Sequence, residues 1–358
     1  MKFIAKMLAF ALILSATPVW AQSTTPQRTS AEIEKLIDEQ GRSKPDWWDD
    51  TPLNYPDTLD LEWPAKPPGS WNNQRNIGQY FWDIINPNPN KWHEGIRLSH
   101  ALLIKHQNDT EKRTRAMSSL ANMYYNFDQD YARAAFWWKQ LGVGPGSQHP
   151  ATGKLAICYW KLGNRQMALD LLNKSPIYMP SIKAYADLGE TDRVVEIANK
   201  YSTSDAAYRL FLYAGDACRT AGRYDEAIGF YEKVIALQPK TQQQMNQFPK
   251  AKERARANIA AIKVYDQLDL NKIPDGTYTG ESMGYVGPIK VQVKVASGKI
   301  TEVKVLSHKE KQCYSAITDT PRQIVEKQGV KGVDAVTGAT ITSEAIVNAV
   351  AKALAGAM

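Results

Sequence analysis

Between Ile289 and Leu306 the chain alternates with a period of two. Ile289, Val291, Val293 and Val295 share one face, and Lys290, Gln292 and Lys294 the other. After Ser297-Gly298-Lys299, Val303 and Val305 alternate with Glu302 and Lys304. Such alternation marks half-buried strands, and the tight turn between them makes an antiparallel hairpin. A further strand is expected over Thr277 to Glu281, before a Gly-rich turn from Met283 to Pro288. Helices are expected at about Pro321 to Gln328 and from Glu344 to Leu354, with Val330 to Val336 as a short approach to the second. These elements predict a small α+β domain, an antiparallel sheet with helices packed on it. Upstream, residues 99 to 240 carry the pattern of paired helices. A polar link (241–248) precedes one more helix, Lys250 to Leu268, and a joint at Asp269 to Asp275.

The helical region repeats itself. Leu212 to Pro239 places Gly215, Cys218, Gly222, Tyr224, Ala227, Tyr231 and Pro239 in the small, bulky and aromatic positions of a tetratricopeptide unit, which it resembles. Weaker copies surround Leu162-Gly163-Asn164 with Ala168, Leu188-Gly189-Glu190 with Val194, and Asp130-Tyr131 with Ala134 and Trp138. Gly189 to Gly222 is a step of 33 residues and Gly163 to Gly189 one of 26, so one unit is shortened. About four repeats exceed the roughly three that a stable stack needs. The helix at 250–268, with Ile259, Ile262, Val264 and Tyr265 apolar, is expected to cap the stack.

Residues 45–98 differ in character. Trp47, Trp48, Trp63, Trp71, Trp82 and Trp92 stand among many prolines, Pro67 and Pro68 included. Proline excludes long helix, and tryptophan in extended chain needs a surface to pack on. Two readings are open: a strap lying along the helical domain, or an aromatic face for a glycan, a partner or a substrate, with Trp47-Trp48-Asp49-Asp50 its most exposed part. Residues 22–45 are polar with one amphipathic stretch (Ile33, Leu36, Ile37), expected as a flexible leader or a loosely docked helix.

Residues 1–21 have the form of a secretory signal peptide: Lys2 and Lys6, an apolar run from Met7 to Ala16, and Val19-Trp20-Ala21 before Gln22. The run is short for a membrane span, and no further span is expected. The reading is an exported protein, periplasmic or otherwise extracytoplasmic. The net charge of +7 falls to about +5 without the leader, and the basic residues are scattered. That arrangement excludes a nucleic-acid patch and leaves room for peripheral association with an anionic membrane. Cys158 and Cys218 sit in apolar helical patterns as core thiols; Cys313 lies in a polar loop, as a plain thiol or a redox-active one. Cysteine and histidine spacings give no metal signature.

The most informative stretch is Asp334-Ala-Val-Thr337-Gly338-Ala339-Thr340-Ile-Thr342-Ser343. Gly338 and Ala339 leave little side chain at the turn, and four hydroxyls crowd the start of a helix. Free N–H groups and the helix dipole favour a phosphate there. An ordinary N-cap is the alternative for the turn by itself. The wider pattern resembles the flavinylation motif of the FMN-binding domain family, as in the C subunit of the sodium-pumping NADH:quinone reductase and the G subunit of Rnf complexes. The resemblance extends back through Asp275-Gly276-Thr277-Tyr278-Thr279-Gly280 and Gly287-Pro288-Ile289-Lys290-Val291, and covers residues 273–358.

The resemblance implies FMN held by a phosphoester at Thr340 and attached by a separate flavin transferase that uses FAD and a divalent metal. It implies that Asp334 helps the transferase, or caps the turn. Thr337, Thr342 and Ser343 would bond phosphate or backbone, and Gly338 and Ala339 would allow close approach. Gly280, Gly284 and Gly287 are expected as hairpin geometry that gives the flavin room. His308 is expected as a surface residue at a strand end. With no acid, base or nucleophile set in view, the expectation is an electron carrier rather than a self-contained enzyme, with no catalytic residue of its own. Redox partner proteins would dock on the helical repeats. Family members are anchored by a transmembrane helix, which this chain replaces with a leader and a repeat. Two alternatives stand beside this reading: dissociable FMN in a reductase or sensor, and a protein- or glycan-binding adaptor with vestigial flavin. The predicted order is leader (1–21), Trp/Pro-rich strap (22–98), all-α tetratricopeptide-like repeat with its capping helix (99–270) and FMN-binding domain (273–358).

Overall fold

The amphipathic stretch near the N-terminus is a docked helix. The structure, a computed structural model, describes residues 26–64, 71–265, 267–310, 315–333 and 339–358. The expected leader (1–21), Pro67, Pro68, Cys313, Asp334, Thr337 and Gly338 lie outside these. Helix α1 (Ser30–Arg42) opens with a capping box in which Thr29 and Glu32 satisfy each other's backbone N–H groups. It buries Ile33 and Ile37, and it packs against a later helix, Tyr131–Gln140. Four residues separate those isoleucines, so one face is apolar and docking follows.

The Trp/Pro-rich segment lies along the helices as a strap. A short helix, α2 (Ile77–Tyr80), runs into a π-helical turn (Phe81–Ile85) and then α3 (Trp92–Lys105). Trp47 stacks on His93 at 3.9 Å, and the Arg97 guanidinium sits 4.5 Å over Trp48. Arg115 lies 4.8 Å over Trp63 and donates to its carbonyl at 2.6 Å. Trp47, Trp48 and Trp63 thus each have a partner on a helix, which overturns the expected exposure of Trp47 and Trp48, whereas Trp71 and Trp82 are exposed.

The stack continues with α4 (Thr110–Met123), a second π-helical turn (Tyr124–Asp128), α5 (Tyr131–Gln140), α6 (Thr152–Lys161), α7 (Arg165–Asn173) and α8 (Met179–Asp187). Then come α9 (Thr191–Lys200), α10 (Ala207–Thr220), α11 (Tyr224–Ala236) and α12 (Gln242–Tyr265). Asp109, Asp130 and Asn164 each cap the helix that follows them. Gly222 ends α10 with φ +75°, a left-handed turn that a side chain would strain, and the same turn recurs at Gly163 and Gly189. Cys158 and Cys218 are buried free thiols, as expected; burial pushes Cys218 up to about 11.

Helix α12 starts eight residues before the expected Lys250 and contains Pro249. The expected polar link is helical because tertiary contact buries part of it. Phe248 packs on Tyr208 with ring centroids 5.1 Å apart, and the Gln244 amide donates to the Asp205 carbonyl at 3.3 Å.

The C-terminal domain has three strands in the order β1 (Gly276–Met283), β2 (Pro288–Ala296) and β3 (Lys299–Ser307), all antiparallel. Ile289, Val291, Val293 and Val295 are buried, as their alternation requires. Ser297 and Gly298 both have positive φ in the β2–β3 turn, the geometry that matches strand twist. Helix α13 (Ser315–Lys327) covers β3, and α14 (Thr340–Ala355) covers β1 and β2. Among the described residues no helix is long and apolar enough to cross a membrane.

Helix α14 is buried on nearly every side because α12 of the helical domain packs on its remaining face. That contact is ionic. Arg254 of α12 donates to Asp216 of α10 at 2.5 Å and to Glu344 of α14 at 2.8 Å. Arg219 lies 3.4 Å from Glu344, Tyr231 donates to Asp216 at 2.9 Å, and Asn258 joins Glu344 to Asn348. Burial alone would raise the Glu344 carboxyl, but Arg254 and then Arg219 outweigh it and hold the group at about 2. Burial pushes Asp216 up to about 7, with Arg254 opposing and Glu344 adding to the rise.

Three expectations follow. Gly280 faces α14 so closely that a Cβ there would come 2.1 Å from the Ala349 carbonyl oxygen. Gly280→Ala should lower urea stability by roughly 1–3 kcal/mol; an unchanged midpoint would mean that α14 is not seated on β1 in this way. Glu344→Gln leaves two buried arginines with one carboxylate and should cost about 3–5 kcal/mol in the same assay, where a surface pair would cost under about 1. Asp216 supplies a pH test. Between its ordinary value of 3.8 and about 7, the folded chain holds a proton that the unfolded chain has lost. Stability from this group therefore falls as pH rises across that window. Melting temperature should drop between pH 5 and 8 in the wild type and drop less in Asp216→Asn; equal drops would exclude Asp216 as the source.

Candidate functional site

Helix α14 begins at Thr340, four residues earlier than its apolar pattern indicates. The expected start at Glu344 took the hydroxyls for loop. They are instead the first turn, held in place by what each side of the helix meets. Ala339 is the N-cap and offers no side-chain acceptor, so the ordinary Ser/Thr cap does not occur at this residue. The Ser343 N–H closes the first turn on the Ala339 carbonyl at 2.9 Å. The N–H groups before it have no acceptor within the helix, and the positive end of the dipole lies among them.

The hydroxyls of this turn have different fates. Thr342 donates to Glu310 at 2.5 Å, and the other oxygen of Glu310 accepts from the Val286 N–H at 2.9 Å. Glu310, 3 % exposed, therefore ties the β1–β2 turn to the first turn of α14. Ser343 is buried and has a partner. Thr340 is 8 % exposed, and its Oγ1 is buried with no hydrogen-bond partner. A buried hydroxyl left unpaired costs about 1–3 kcal/mol. Esterification would remove the unpaired donor, so the residue fits a phosphate ester.

Thr340, Glu344 and Asn348 recur every fourth residue and share one side of α14. That side meets the helical domain through Arg254 and Asn258. The position of Thr340 is thus set one turn away by the buried ionic contact. On its other flank, Ala339 packs against Ala316 at the start of α13. Of the expected site residues, the structure brings together Ala339, Thr340, Thr342 and Ser343; Asp334, Thr337 and Gly338 fall outside the described residues.

A cleft of about 420 Å³ opens beside the start of α13, between the two domains. Pro89, Trp92 and Phe127 line it from the helical side, and His308, Ser315 and Ile317 from the C-terminal domain. The Trp92 and Phe127 rings stack at 4.9 Å and 15°. Gln129, left-handed at φ 53°, reaches Asp319 across the cleft at 3.5 Å. His308 is half-buried in this wall and not on the open surface. Gly284 and Gly287 close the β1–β2 hairpin turn as expected, the Gly284 N–H donating to the Gly287 carbonyl at 2.9 Å, and Gly284 also admits Glu310 and Ile289; Gly280 lies within β1 and admits α14.

Sequence reasoning missed Glu310, Arg254, Arg219 and Asp216. A signal existed for part of this. Arg254 and Asn258 on α12, and Glu344 and Asn348 on α14, are polar pairs at the same spacing inside apolar stripes. Among the described residues no cluster of His, Cys, Asp and Glu could hold a metal ion.

Comparison with known proteins agrees with this geometry. An uncharacterized protein of Treponema pallidum (strain Nichols) is 35% identical over 85 residues, 23% of each chain. The match spans about a quarter of that relative's length. No solved structure matches. Residues 214–244, covering most of α10, α11 and the start of α12, match the tetratricopeptide repeat. Residues 284–355, from the β1–β2 turn to the end of α14, match the family of the FMN-binding domain. The chain is a flavoprotein in which a tetratricopeptide-repeat region precedes a C-terminal FMN-binding domain.

Proposed function

We propose that this chain is an exported electron-transfer flavoprotein whose FMN is esterified through its phosphate to Thr340. The observation that carries the reading is the Thr340 hydroxyl, buried and unpartnered in the first turn of α14 within the FMN-binding domain. Formation of the ester joins Thr340 Oγ1 to the FMN phosphorus as the P–O bond to the AMP part of FAD breaks. The hydroxyl proton leaves to a base on the transferase. The bound flavin supplies one- and two-electron chemistry. The chain's own residues hold it. The backbone N–H groups and dipole at the start of α14 favour the phosphate charge, and Glu310 fixes that turn to the sheet.

Permanent attachment suits a protein working outside the cytoplasm, where free FMN is scarce. The leader at residues 1–21 supports export. The repeats support docking to redox partner proteins, since helical stacks of this kind present extended surfaces.

Denatured intact mass decides the covalent step. Co-expressed with a flavin transferase, the wild type should gain the mass of one FMN less one water, and Thr340→Ala should gain none. Thr342→Ala should still be loaded. Absence of the gain in wild type, with the transferase active on a control substrate, would sink the ester; a gain retained in Thr340→Ala would move it to another residue.

A further inference from the structure

The cleft between the domains opens beside the start of α13, and the flavin site described so far does not use it. Two observations connect the cleft to Thr340, and a third concerns its size. Ser315 lines the cleft, and its neighbour Ala316 packs directly on Ala339, the residue before Thr340. Thr340 shares a helix side with Glu344, which faces the helical domain. The cleft volume of about 420 Å³ falls in the range of about 300–1,000 Å³ typical of sites for small organic molecules.

Its chemistry suits a planar heteroaromatic ring. Trp92, Phe127, Pro89 and Ile317 give an apolar interior. Gln129, Thr318 and Asp319 add hydrogen-bonding groups. An isoalloxazine has the same division, an apolar dimethylbenzene end and a pyrimidine edge of carbonyls and N–H. The wall itself is irregular backbone. Phe127 and Asp128 belong to a π-helical turn, and Gln129 after it is left-handed without being glycine. Such features cost energy and concentrate at functional sites.

We infer that this cleft receives the ring of the flavin attached at Thr340, so that the helical domain supplies the outer wall of the flavin site through Trp92 and Phe127. The inference rests on the ester reading above. It assigns the helical side of the cleft, Trp92 of the strap and Phe127 of the repeat region, a role beside partner docking: it shields one side of the cofactor and places an indole against it.

The test uses the full-length protein, loaded by co-expression with a flavin transferase, with covalent load counted by denatured mass. An indole in contact with an excited flavin quenches its emission by donating an electron that then returns. Wild-type flavin emission should be dim compared with the same sample after denaturation, and poorly accessible to iodide. At equal load, Trp92→Phe should be severalfold brighter and still shielded from iodide. Trp160→Phe, on α6, should match the wild type. Emission in the wild type as bright and as open to iodide as in the denatured sample would overturn the inference. So would no change in Trp92→Phe, or an equal change in Trp160→Phe. If Trp92→Phe does not fold, iodide access to the wild-type flavin decides by itself. Failure of the wild type to load would overturn the ester reading beneath, and denatured mass reports that separately from emission.

Discussion

Arg254 is charged at any physiological pH and is only 7 % exposed, so its partners must replace the water it has lost. They come from both domains: Asp216 on α10 at 2.5 Å and Glu344 on α14 at 2.8 Å. With Arg219 the cluster joins two arginines to two carboxyl groups, from three helices. Apolar packing between α12 and α14 would tolerate a small rotation or slide. The hydrogen bonds of this cluster do not, because any such motion leaves a buried charge unpaired. The cluster therefore fixes both the rotation and the height of α14 against the helical domain. Thr340 is one turn from Glu344 on the same side, so the geometry of the candidate flavin site is set largely from outside the FMN-binding domain.

The parts of this arrangement that were legible in the sequence are those with a short period. Ile289 to Val295 alternates so strictly that strand, face and hairpin follow, and Gly222 with Tyr224 and Ala227 marks the repeat. The motif around Thr340 was legible as a family pattern, and its helix was legible except at the start. Thr340 and Thr342 are β-branched and polar, which reads as loop; they are helical because Glu310 holds Thr342 and the helical domain lies against the opposite side. The same cause hid the start of α12. Local propensity saw a run of glutamines and a proline, whereas burial of Gln244 and Phe248 decided the outcome.

What could not be read was the meeting of distant segments. Glu310 reaches Thr342 over 32 residues and Arg254 reaches Glu344 over 90. The cleft is more remote still, since Gln129 and Asp319 are separated by 190 residues. The tryptophans of the strap were seen to need a surface, but Trp92 differs from the rest only in where its helix ends up. Trp47, Trp48 and Trp63 are committed to His93, Arg97 and Arg115, while Trp92 stands where the two domains face each other.

Within one turn of α14 the contrast between two threonines carries the chemical argument further than the motif does. Both are buried, and both lie in the first turn of the helix, where backbone N–H groups have no acceptor within the helix. Thr342 has spent its proton on Glu310, so converting it to an ester would break the link between the helix and the β1–β2 turn. Thr340 has no such bond to lose. A free hydroxyl there is a standing cost of about 1–3 kcal/mol, tolerated because the ionic cluster and the sheet hold α14 regardless. Attachment of a phosphate at that oxygen removes the cost and adds a negative charge where the dipole favours one. The same fold that makes Thr342 structural thus leaves the Thr340 hydroxyl unbonded, and the difference lies in a single hydrogen bond.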